Sequence, residues 1–170
     1  MEVSKLDAAK RQLDVAIILF FKQSDPVSVH TLTAAAHQLL MDVGCSHGIK
    51  SFMKQNPLIK EEKFKEYISV VNKAENFFKH AKNDAKEMLD FDPGQTEYLM
   101  LDAVEMYMQL TNEMPEDMSI FRVWFLAKNP NLVTDEIKRQ IYEKGLDLQR
   151  FMSKTKLEFF SSMKDALLRS

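Results

Sequence analysis

Apolar side chains recur at intervals of three and four residues along most of this chain. Short polar breaks holding nearly all of the proline and glycine separate the stretches that carry this rhythm. The rhythm is that of amphipathic helices, and no segment alternates as a half-buried strand does. The spacing predicts six helices. The first covers about 5–23, with Ser4 as N-cap and Leu6, Ala9, Leu13, Ala16, Ile17 and Phe20 on its inner stripe. Its second half, VAIILFF, is apolar all round and is expected to be enclosed by neighbours. Ser24-Asp25-Pro26 forms a turn, and Asp25 or Ser28 caps a second helix reaching about 43.

That second helix is the most informative part of the chain. VHTLTAAAHQLLMDV, residues 29–43, carries one charged residue, Asp42, and is apolar on nearly every side. A helix of that kind belongs in an interior. Two histidines, His30 and His37, lie inside it. A buried ring nitrogen without a partner is costly, so each imidazole is expected to find one. Beyond it, residues 44–59 form the longest irregular segment. Its apolar side chains Ile49, Phe52, Met53 and Leu58 are expected to fold back over the core, and a loop of this length is often functional.

A third helix is predicted over 60–86, with Phe64, Tyr67, Ile68, Val71, Ala74 and Phe78 on one face and a stop or restart near Lys82. Phe91-Asp92-Pro93-Gly94 signals a turn. The fourth helix runs over 96–113 with a polar stripe of Asp102, Glu105, Gln109 and Asn112, and the fifth over 116–128. The sixth opens at Thr134-Asp135-Glu136 and extends to about 168. Its inner side is Ile137, Ile141, Leu148, Phe151, Phe159 and Ala166, and Gly145 marks a bend. The expected architecture is all-α: one domain over 1–170, a compact and largely antiparallel bundle of about six helices.

Composition narrows the classes without choosing one. At 170 residues, with 45% hydrophobic and 28% charged residues, the chain can bury an ordinary soluble core without a metal or disulfide. The net charge of −2, with both signs interleaved, disfavours nucleic acid as a partner. The single cysteine, Cys45, allows no internal disulfide, and MEVSKLDAAKRQLD is polar where a secretory signal needs an apolar segment. The longest apolar run has seven residues against the roughly 20 that a bilayer requires. A cytoplasmic location with no membrane association is therefore expected. The eleven methionines and twelve phenylalanines, at helical spacing, read as plain core.

Several chemistries lack their signatures. There is no Glu-x-x-His, His-Glu-x-x-His, Gly-x-Ser-x-Gly, phosphate-binding glycine loop or dinucleotide fingerprint, and no motif calls for a cofactor. Cys45 and His47 form a Cys-x-His pair with no second cysteine to complete a zinc site. His30 and His37 are seven residues apart, two turns on one helix face and roughly 10 Å in rise, which is long for a shared ion. They are either core histidines or part of a ligand or metal site. Glu75, on the flank of the third helix's apolar face, is a candidate partner for either ring or a rim residue pointing outward. Asn76 and His80 stand at i and i+4, with Lys79 beside them, on a solvated face or at the edge of a site. Arg122, alone among apolar residues in SIFRVWFLA, is expected to pair with a carboxylate or snorkel to water.

The segments DPVSVHTLTAAAHQLL and NKAENFFKHAKNDAKEMLDFDP resemble those of a group of small bacterial helical proteins without assigned activity. The resemblance implies that His30, His37, Asn76 and His80 belong to the recurring part, and it carries no reaction with it. The expected function is a non-catalytic binding or interaction module for a small-molecule ligand. The site would lie between the second and third helices under the 44–59 loop, with His30, His37 and Glu75 inside and Asn76, Lys79 and His80 at the edge. Self-association through an apolar helix face is also expected. The alternative is a metal-dependent or acid–base enzyme using the same imidazoles.

Overall fold

A computed structural model of the protein describes residues 1–82, 84–132, 134–136 and 153–167. Within them the chain is all-helical: α1 (Lys5–Phe21), α2 (Pro26–Cys45), α3 (Glu61–Val71), α4 (Lys73–Lys79), α5 (Gly94–Thr111), α6 (Glu116–Lys128), a 3-10 turn (Pro130–Leu132) and α7 (Lys156–Leu167). No helix among the described residues is long and apolar enough to cross a membrane.

Local chemistry fixes the first two helices. Ser4 and Asp7 form a reciprocal capping box at the start of α1. Asp25 accepts from the Ser28 N–H and Pro26 occupies the first turn of α2. Between them the chain reverses through a Schellman motif. The Ser24 N–H reaches Leu19 O, the Gln23 N–H reaches Phe20 O, and Gln23 is left-handed at φ 52°. Glycine is the usual residue there, because a Cβ in that conformation costs about 1 kcal/mol. Gln23→Gly is accordingly expected to raise the unfolding free energy by up to about 1 kcal/mol in a urea titration.

α2 is the centre of the molecule. It packs most extensively on α1, then on α5, and it also touches α4. No residue from Val29 to Met41 is exposed, as its all-round apolar surface requires. α1 and α6 close the other side with Leu13, Ile17, Phe21, Phe121 and Phe125, and α7 adds Phe159, Phe160 and Met163. Phe21 stacks on Phe160 with ring centres 4.7 Å apart, while Trp124 meets Phe20 edge-on.

Some expectations are corrected. Val15, inside the run expected to be enclosed, is 46% exposed, because α1 is covered by α2 and α6 on its other faces. The helix predicted over 60–86 is two. Asn72 turns the chain between α3, which buries nothing, and α4, which buries Ala74 and Glu75; the helix then ends as His80 becomes extended. Past that point the polar run AKNDAKEMLD offers no apolar face to hold a helix down. The long last helix is interrupted as well. Thr155 caps α7, exchanging hydrogen bonds with Glu158, and this box gives a helix its own start there. Phe159 is buried as expected, but Ala166 is exposed. Ile137, Ile141, Gly145, Leu148 and Phe151 lie outside the described residues. In the 46–60 loop Ile49 packs against the core and Met53 is half-buried, as expected, but the fully buried side chains are polar. Ser51 and Lys54 are buried, whereas Phe52 is 43% and Leu58 87% exposed.

Candidate functional site

The two histidines of α2 both find partners on α5. His30 Nδ1 lies 2.9 Å from Thr96 Oγ1, and His37 Nε2 lies 2.9 Å from Asp102 Oδ2. Seven residues along α2 match six along α5 in the same sense, so the two helices run parallel, with α3 and α4 making the return between them.

Asp102 is the hub. It is 1% exposed and accepts from four donors: His37 Nε2–H, the Ser51 hydroxyl, and the Phe52 and Met53 backbone N–H groups at 3.2 and 3.1 Å. Among the described residues no lysine or arginine pairs with it; successive N–H groups of a turn cradle the carboxylate instead. Since an aspartate accepts, His37 carries its proton on Nε2, and its Nδ1 has no partner among the described residues. Ser51 Oγ in turn accepts the Lys54 N–H at 2.7 Å, closing the turn. Tyr67 of α3 donates to Met53 O at 2.6 Å and ties the same turn to a third element.

Lys54 carries the network to α4. Its ammonium, 4% exposed, donates to Glu75 Oε2 at 2.6 Å, and Lys79 donates to Glu75 Oε1 at the same distance. Burial pushes the Glu75 carboxyl up, but the two ammonium groups outweigh it and hold the carboxyl below its ordinary range. A carboxylate depressed in the fold stabilises it above the unfolded pKa, and that stability is lost as pH falls below about 4.5. Glu75→Gln leaves the buried Lys54 ammonium facing an amide. It is expected to cost about 2 kcal/mol at pH 7 by urea denaturation, and less in acid.

His30 has a different setting. It is 2% exposed, flanked edge-on by Phe78 and Phe91, and burial pulls its pKa down to about 4. The ring is therefore neutral at pH 7. With Nδ1 engaged by Thr96, Nε2 is left buried and without a partner among the described residues. The same ring lines a cavity of about 150 Å³ with Met53, Val70, Val71, Gln95 and Leu99. α2, α3, α5 and the 51–54 turn thus all contribute a wall, and Val70, 67% exposed, stands at the mouth.

Of the residues singled out from sequence, His30, His37 and Glu75 are interior, but they do not form one cluster. Glu75 does not pair with either imidazole, because Lys54 and Lys79 take both of its oxygens. Lys79 joins the edge of that ion triplet, whereas Asn76 and His80 are exposed and form no helical pair, since α4 stops at Lys79. Arg122 pairs with Glu105 on α5. Cys45 is exposed, and His47 bonds the end of α2 through Val43 O. Among the described residues no group of three His, Cys, Asp or Glu is placed to hold a metal ion. Sequence reasoning missed Thr96, Asp102, Ser51 and Lys54. The one signal available was Asp102 itself, a lone acid in the apolar run YLMLDAV.

Neither a protein-family model nor a curated protein nor a solved structure matches the chain.

Proposed function

We propose that the chain is a non-catalytic binding module that takes a small molecule into the cavity between α2, α3 and α5. One observation carries this reading: a buried imidazole nitrogen, His30 Nε2, has no partner among the described residues and its ring lines an apolar-walled space. Buried polar groups are nearly always satisfied, so an orphan beside a cavity marks where a ligand atom belongs. The Asp102 hub and the Lys54–Glu75–Lys79 triplet serve as scaffold, pinning the turn that forms one wall.

The alternative, an acid–base or metal-dependent enzyme using the same imidazoles, has less support. General acid–base work near neutrality calls for a ring that ionises there and meets its substrate. Burial pulls His30 down to about 4, and His37 is fully buried with Nε2 committed to Asp102. Membership of the group of helical proteins that the sequence resembles, self-association and a cytoplasmic location are parts of the same proposal. Sedimentation velocity over a range of concentrations tests the second of these.

Thermal unfolding of the full chain in the presence of a panel of neutral single-ring compounds tests the binding reading. A ligand that binds only the native state raises the midpoint with its concentration. Some members of the panel are expected to do so, and Val70→Trp, a change at an exposed position that closes the mouth, is expected to remove the effect. A panel without any shift contradicts the proposal.

A further inference from the structure

We infer that the His30 cavity takes a neutral, single-ring-sized molecule whose one hydroxyl group bonds His30 Nε2: a phenol, rather than a carboxylic acid or a two-ring compound. This rests on the binding reading above and specifies its ligand.

Size comes first. The cavity measures about 150 Å³. A dry cavity of about that volume holds a benzene-sized molecule. Met53, Val70, Val71 and Leu99 supply an apolar wall, which suits a ring and gives charge nothing to pair with. Polar groups come second, and there are two, His30 and Gln95. Thr96 Oγ1 either accepts from Nδ1–H or donates to Nδ1, so Nε2 offers a lone pair in one tautomer and an N–H in the other. A hydroxyl both donates and accepts, and it therefore satisfies either form. A ligand that only accepts, or only donates, fits one.

Charge comes third. A buried carboxylate needs a cation, and the imidazole does not supply one, since burial keeps it neutral down to about pH 4. Among the described residues the ammonium groups that act on His30, those of Lys54 and Lys79, both pair with Glu75. The flanking rings of Phe78 and Phe91 present edges to His30 and add no charge.

The test is a set of affinities measured by ligand-observed NMR on the full chain with phenol, benzene, benzoate and 2-naphthol. Phenol is expected to bind about fivefold tighter than benzene, the worth of one hydrogen bond. Benzoate and 2-naphthol are expected to bind at least about tenfold more weakly than phenol. His30→Leu should bring phenol to the level of benzene. Because that variant removes a buried bond to Thr96 and is at risk of misfolding, Val70→Trp serves as a second arm and should weaken phenol and benzene alike. Equal affinities of phenol and benzene for the unaltered chain overturn the hydroxyl inference while leaving the cavity as a binding site. Tighter binding of benzoate overturns its neutrality, and tighter binding of 2-naphthol its size limit. No binding by any of the four, or binding that Val70→Trp leaves unchanged, overturns the site together with its ligand.

Discussion

Asp102→Ala is expected to lower the unfolding free energy by about 3–5 kcal/mol, because it strips several buried donors of their shared acceptor at about 1–3 kcal/mol for each one left unsatisfied. The carboxylate serves four donors in a space closed to water: His37 Nε2–H, Ser51 O–H and the N–H groups of Phe52 and Met53. Alanine leaves all of them facing a void, each at the desolvation cost of an unmade hydrogen bond. Asparagine recovers little, since its amide N–H groups meet a shell made of donors. Hydrogen exchange locates the damage: the Phe52 and Met53 amides should lose protection before those in the middle of α1 do. Gln109→Ala is the control. It stands on the same helical stripe but is exposed, and a change of no more than about 0.5 kcal/mol is expected. Urea titrations with unchanged slope measure both.

The second large effect is a loss of stability in mild acid. In the unfolded chain His30 has an ordinary pKa near 6.5, and in the fold burial pulls it to about 4. Between those values the unfolded chain binds more protons, so stability rises with pH across the window. The contribution is complete above about 6.5, falls as pH drops, and is exhausted near 4. Its full size is about 3 kcal/mol, from a shift of some two and a half pKa units. A second loss, from Glu75, begins where the first is ending. Urea midpoints taken from pH 8 to 4 should show the first slope in the unaltered protein, and His30→Phe should flatten it. A pH-independent midpoint in the unaltered protein between 7 and 5 contradicts the burial of a neutral ring.

Helix existence was legible from the spacing of apolar residues, and caps were legible where the side chain sits beside the backbone it serves, as with Ser4 and Asp25. The burial of α2 followed from its lack of a polar face. What could not be read was the choice of partner. Thr96 and Asp102 lie 66 and 65 residues from the rings they meet, and only the parallel placement of α2 and α5 brings them together. Asp102 falls on a stripe with Glu105, Gln109 and Asn112, which reads as solvated. The fold divides that stripe, because the 51–54 turn covers its first member. Lys54 carries no signal in the sequence, since a lysine in a loop is ordinarily wet. Thr155-x-x-Glu158 was written in the sequence, but the apolar rhythm running through it pointed to one continuous helix.

Ligand binding requires that His30 be a neutral imidazole beside a ligand-sized space, with one nitrogen unclaimed among the described residues. A nitrogen-15 NMR titration of the histidine rings in the full chain, run with and without phenol, addresses this residue by residue. Protonation of His30 only near pH 4, and an Nε2 resonance that moves when phenol is added at pH 7, is the predicted result. A His30 that titrates near 6.5 and ignores phenol would contradict it.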